Sequence, residues 1–248
     1  MNKSFQRLFC MIAATISILA CQKDNTIMYN NSTMGNIVDG QFISDQGNIF
    51  NVVDQTCIGN LNEQKRAFIV CDVLNRTEGG KENEYDIRLN TIASVLTKEV
   101  VNKEDITDEM SVQDPIQVKY AWVSGGYINL YILFPIKEGS TTSHLINLVH
   151  EGCMIDSETN EEVSGTYRFS LRHNSYEDKI MPPQTIGYVL AGGYVSFPLS
   201  SFISEKEAEF TIEWPWHKTL GESLTSETET RSLTTKYSSE GFLQPLFY

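Results

Sequence analysis

Basic side chains are scarce in this chain: 19 Lys and Arg stand against 32 Asp and Glu, a formal net charge of −13. Phosphate backbones are bound by Lys and Arg that displace counterions, and no stretch here concentrates them, which argues against nucleic acid as a partner. Histidine and cysteine are few, four and five residues. There is no CxxC pair and no metal-type spacing, and GxSxG, HExxH and P-loop patterns are absent. No cofactor and no metal is implied. A triad assembled from distant positions would leave no local pattern, so an unrecognised hydrolase stays as the third functional alternative. Long apolar runs are missing too. The run at 8–19 is interrupted by Thr15 and Ser17 and is shorter than the roughly 20 apolar residues that span a bilayer.

That short run has another use. Lys3 and Arg7 precede it and Ala20-Cys21 end it, the plan of a signal peptide over residues 1–20. Ile18-Leu19-Ala20-Cys21 resembles a lipobox, although Leu19 stands where a small residue is usual. Cys21 is therefore the expected lipidation site, and its acyl chains the expected contact with the outer membrane, on the periplasmic or the exposed side. Cleavage removes Lys3 and Arg7 and moves the net charge to −15. Of the remaining cysteines, Cys57 and Cys71 are either bridged or two buried free thiols, and Cys153 is left over.

The mature chain reads as all-β in two parts. Residues 21–34 are polar and suit a tether. Over 35–103, apolar runs at 41–44 and 49–53 flank Asp45-Gln46-Gly47-Asn48, a hairpin signal. Residues 67–74 read as a strand buried on both faces, and Tyr85, Ile87 and Leu89 alternate with polar neighbours. Four to five strands in that length fit a small OB-type barrel. Over 104–218, at least five alternating strands predict a β-sandwich, among them Ile128-Leu130-Ile132-Phe134, Val195-Phe197-Leu199 and Phe210-Ile212-Trp214. Residues 219–248 are rich in Ser, Thr and Glu and read as a disordered tail, ending in the apolar Phe242-Leu243-Gln244-Pro245-Leu246-Phe247-Tyr248.

Several segments, GQFISDQGNIF (40–50), YDIRLNTIASVLTKEVV (85–101), YAWVSGGYINL (120–130), HLINLV (144–149), FSLRHN (169–174) and YVSFPLS (194–200), resemble in sequence and order the NigD-like lipoproteins. The resemblance implies an N-terminal OB-type domain and a C-terminal β-sandwich behind a lipobox. That family is named for a bacteriocin operon in which one member was proposed as an immunity protein, and its members have no established activity, so the resemblance implies a fold and not a mechanism.

For binding, the aromatics on polar strand positions are the candidates. Tyr127 and Tyr131 lie on the polar parity of an otherwise apolar strand, and Trp216 ends the strand that carries Trp214. His173 sits at a strand end, where bonding to turn backbone competes with a ligand role. Asp156, Glu158, Asn160, Glu161 and Glu162 gather oxygens as calcium loops do, but Glu161 stands where an EF-hand needs Gly. The expectation is an envelope lipoprotein that binds a protein partner, with a glycan or small ligand in the cleft between the domains as the alternative.

Overall fold

The computed structural model describes residues 28–61, 65–180, 182, 186–202, 207–220, 223–238 and 246–247, so the leader and Cys21 lie outside the described residues. Five strands form a closed barrel: β1 (Met28–Val38), β2 (Gln41–Ser44), β3 (Ile49–Gln55), β4 (Arg66–Arg76) and β5 (Glu84–Thr97). Their pairing runs β1-β2-β3-β5-β4 and returns to β1, with β3 and β5 parallel. The β2–β3 hairpin turns at Gly47, whose φ of +82° suits glycine. Period-two alternation fills the interior with Phe42, Phe50, Ala67, Ile69, Cys71, Val73, Ile87 and Leu89. β4 therefore differs from the expectation of burial on both faces: its second face is half-buried and carries Phe68 and Val70.

β5 does not stop at the barrel. Its first part pairs with β3 and β4, while Val95, Leu96 and Thr97 pair in parallel with Tyr194, Val195 and Ser196 of β11 (Tyr188–Pro198). β11 pairs with β8 (Tyr127–Lys137), β8 with β7 (Gln117–Ser124), and β7 with β14 (Leu246–Phe247). The facing sheet runs β13 (Ser223–Ser238), β12 (Glu207–Leu220), β10 (Glu162–Asn174), β9 (Leu145–Ile155) and β6 (Val101–Asn102). Between the two sheets lie Ile128, Leu130, Val195 and Phe197 on one side and Leu148, Phe169, Leu171, Phe210, Ile212 and Trp214 on the other. Strand alternation of the kind read from the sequence produces this sandwich.

Two bounds are corrected: β1 begins at Met28, within the 21–34 tether, and much of the 219–248 tail is ordered. Ser223–Ser238 is a full strand in antiparallel register with β12, from Glu207↔Ser238 to Leu220↔Ser223. Leu233 and Thr235 point inward and are buried, while the Ser, Thr and Glu that suggested disorder face water. Thr is also a good strand former, so a polar edge strand carries the same composition as a loose tail.

Arg66 closes the junction between barrel and sandwich. It is the first residue of β4 and its side chain is only 1% exposed. Its guanidinium donates from Nη1 to Asp45 Oδ1 (2.8 Å) and Asn36 Oδ1 (3.0 Å), and from Nη2 to Asp45 Oδ2 (2.7 Å) and Asn129 Oδ1 (2.9 Å). Nε donates to Ser196 Oγ at 3.0 Å. All five of its N–H groups are thus used, two of them on sandwich residues. Ser196 Oγ donates in turn to Asn129 Oδ1, Ser124 Oγ donates to Asp45, and the Tyr127 ring lies 4.1 Å from the guanidinium carbon. The β7–β8 turn must approach Asp45 closely: Gly125 has φ +58°, and a Cβ there would collide with the Asp45 carboxylate.

Removing one partner of a buried ion pair strands the other charge, at a cost of about 3–5 kcal/mol. Arg66→Ala should lower stability by that order in urea unfolding. Gly125→Ala should also destabilise, by about 1–3 kcal/mol through strain and displacement of Asp45. A loss under about 1 kcal/mol in Arg66→Ala would contradict this account.

Candidate functional site

The outer face of the β7–β8–β11 sheet changes character along its strands. Next to the barrel it carries the buried Ser124, Asn129 and Ser196, the last two bonded to Arg66 and Ser124 to its partner Asp45. Two residues further along, the register places Tyr194 opposite Tyr131 and Tyr131 opposite Tyr120. Three strands therefore present one rung of tyrosines. Ring centroids are 4.9 Å apart for Tyr131–Tyr194 and 5.9 Å for Tyr120–Tyr131. The barrel extends the row, because Phe68 stacks on Tyr194 at 4.5 Å with a 17° interplanar angle, and Trp122 meets Tyr194 edge-on at 6.5 Å.

Gly192 leaves room for this row: a Cβ there would sit 2.6 Å from Leu133 Cδ2 and 2.8 Å from the Tyr131 hydroxyl. Burial, then the neighbouring Tyr131 and Tyr120, push the Tyr194 pKa up, so its hydroxyl keeps its proton and remains a donor. Tyr120 is 36% exposed at the outer end, and Phe68, Trp122, Tyr131 and Tyr194 are half-buried. Stacked rings with hydroxyls at the rim offer contact area and hydrogen bonds at small entropic cost, the profile of an interface centre.

A second cluster sits at another end of the sandwich. His144 Nε2 is 3.2 Å from Asp178 Oδ2, His144 Nδ1 is 2.9 Å from His173 Nε2, and His173 Nδ1 is 3.2 Å from the Pro115 carbonyl oxygen. A carbonyl only accepts, so His173 donates from Nδ1, and its neutral ring then accepts from His144 at Nε2. Burial, with the adjacent His144 adding to it, pushes His173 down to about 4. Phe134 packs on both imidazoles, at 4.8 and 5.3 Å. The relay ends on backbone, and it ties together the segments before β7, before β9 and after β10.

The residues singled out from the sequence are dispersed. Tyr131 lies in the row and Tyr127 lies against Arg66. Trp216 is 5% exposed within the sandwich core and His173 is 1% exposed, so neither side chain lies at the surface. Alternation explains Trp216, which shares parity with Ile212 and Trp214. Asp156 Oδ1 accepts from the backbone of Glu158 and Thr159, so the acidic turn uses this carboxylate to close itself. Among the described residues no group of three or more His, Cys, Asp or Glu is arranged to hold a metal, and Cys57, Cys71 and Cys153 are free thiols. Tyr120, Tyr194, Phe68 and Trp122 went unnoticed in the sequence. The parity of Tyr194 opposite Val195 and Phe197 was a usable signal; for Phe68, which the barrel brings in, there was none.

A closed five-stranded barrel sharing a strand with a β-sandwich defines the class of protein. Residues 98–230 match the family described as NigD-like C-terminal beta sandwich domain, and the chain belongs to the NigD-like family. Among solved structures, a candidate toxin-related protein of Parabacteroides distasonis is similar at 21% identity and TM-score 0.56, over 85% of this chain and 94% of that one. A candidate lipoprotein of Bacteroides fragilis is similar at 14% identity and TM-score 0.58, over 86% of this chain and all of that one. A Bacteroides vulgatus protein of unknown function follows at 17% identity and TM-score 0.53, over 88% and 96%. At such identities the likeness establishes the fold. No curated protein matches the chain.

His173 sets a pH dependence. Its folded pKa lies below the unfolded value, so its stabilising contribution is complete above about 6.5 and is lost as pH falls toward about 4, on the order of 3 kcal/mol. His150 and His217, pushed down by burial, act in the same direction, and Asp114 and Asp178, also held low, add losses only below the ordinary carboxylate range. Urea midpoints at pH 7.5, 5.5 and 4.5 should fall in that order; a flat profile would contradict the buried neutral imidazole.

Proposed function

We propose that this chain is a non-catalytic lipoprotein of the cell envelope, anchored through Cys21, that binds a protein partner with its aromatic row. One observation carries the reading: Phe68, Tyr194, Tyr131 and Tyr120 line up across the barrel–sandwich junction, with their rings half-buried or exposed. The sandwich core is complete without them. Contiguous aromatic surface on a rigid sheet is where interface energy concentrates, and Tyr and Trp dominate such hot spots. The leader and the lipobox-like Ile18-Leu19-Ala20-Cys21 support an acylated cysteine, and the family's association with bacteriocin immunity makes a toxin one class of partner. Among the described residues no helix is long and apolar enough to cross a membrane. The alternative of a glycan in the cleft between the domains has less support, because Arg66 and its partners fill the junction where they meet.

The test is capture of a partner from detergent-extracted envelopes by the mature, acylated chain, with intact mass confirming the acyl groups on Cys21. Tyr131→Ala combined with Tyr194→Ala should weaken capture at least tenfold, since each hot-spot aromatic contributes about 2 kcal/mol. The melting temperature serves as the control for folding. Capture unchanged by the double variant would remove the row from the account, and an unmodified Cys21 would remove the anchor.

A further inference from the structure

The aromatic row ends at Tyr120, on the strand where the sheet ends. β7 runs for eight residues, Gln117–Ser124, and is paired on one side with β8. On its other side, among the described strands, only β14 pairs with it, Leu246 opposite Ala121 and Phe247 opposite Tyr120. Among the described residues, two of the eight positions are therefore covered, by a segment that follows the β12–β13 hairpin in the chain. A strand edge is a template for further pairing, and natural proteins usually block or cover it.

The covering segment is poorly suited to hold its place. Pro245 immediately precedes the paired residues and has no N–H, so it cannot donate to a longer ladder in that direction. Two paired residues supply little backbone hydrogen bonding, whereas a segment of the same chain would need little, a short flexible linkage giving an effective concentration of roughly millimolar.

We propose that the outer edge of β7 is a strand acceptor for the binding partner, which adds an extended apolar segment in antiparallel register, and that Leu246–Phe247 is the displaceable occupant of that edge. The proposal rests on reading the aromatic row as the partner face, because edge and row meet at Tyr120. In strand addition, main-chain bonds give affinity and the surface beneath alternate side chains gives selectivity. Here that surface is Tyr120, Tyr131 and Trp122, which favours a segment with aromatic or large aliphatic residues at every second position. A partner pairing along more of Gln117–Ser124 than the cis segment does displaces it, and weaker strands do not.

Amide NMR of the full chain and of a chain ending at Ser238 tests this. All described residues of both hydrophobic cores precede residue 239, so the shorter chain keeps them. Truncation should shift the amide signals of Tyr120 and Ala121 and speed hydrogen exchange along β7. The synthetic peptide GFLQPLFY, added in trans, should return those signals toward their positions in the full chain, and should bind the truncated chain roughly tenfold more tightly than the intact one. The same peptide with Pro in place of Leu246 should not bind. Signals at residues 120–121 that ignore both truncation and peptide would overturn the proposal. So would a full-length dimer whose β7 shifts vanish on dilution, since the segment would then belong to a second copy. Peptide binding without partner capture would retain the acceptor edge and discard the partner reading; capture that needs Tyr131 and Tyr194 without peptide binding would do the reverse.

Discussion

A buried guanidinium obliges its surroundings to provide an oxygen for every N–H, and around Arg66 those oxygens come from both halves of the molecule. Asp45 and Asn36 belong to the barrel, Asn129 and Ser196 to the sandwich. Neither half alone satisfies the group, so burying it requires one relative placement of the two. That placement reaches beyond the polar contacts. Arg66 and Phe68 are two residues apart on β4, and Ser196 and Tyr194 are two apart on β11. With Arg66 bonded to Ser196, Phe68 is brought onto Tyr194, and the barrel contributes its ring to the row.

The covalent frame acts in the same sense. β5 is a barrel strand over most of its length and a sandwich strand at Val95–Thr97, so the sheets of the two parts are hydrogen-bonded into one. Lys98 continues this, its Nζ donating to the Ile146 carbonyl and Asn147 Oδ1 across to β9. A partner meeting the row would contact a surface built by both parts and held without a hinge at the contact. Preorganisation of this kind limits the ordering cost of binding.

Much of the fold was legible because strand parity is a strong signal. Ile128, Leu130 and Ile132 point one way and Asn129 and Tyr131 the other, as read, and the Asp45–Asn48 turn falls where Gly47 permits it. What escaped was long-range. His144 and His173 are 29 residues apart and meet only because β9 and β10 pair, so neither flagged the other in sequence. Arg66 carries no local signal in the sequence, since the oxygens that justify its burial come from as far as Ser196. Parity places Tyr131 on the strand's outer face, but its neighbours Tyr120 and Tyr194 depend on register, which sequence periodicity does not supply. The β13 strand was missed for a different reason, because Ser, Thr and Glu suit a solvent-facing edge as well as a disordered chain.

One buried cation makes barrel and sandwich a single cooperative body. Differential scanning calorimetry of the wild-type chain and of Arg66→Ala is the decisive measurement. One transition is expected for the wild type, with calorimetric and van't Hoff enthalpies equal, and a broadened or split transition for the variant as the two cores begin to melt separately. Two resolved transitions in the wild type, or an Arg66→Ala chain that still melts in one transition at an unchanged midpoint, would contradict it.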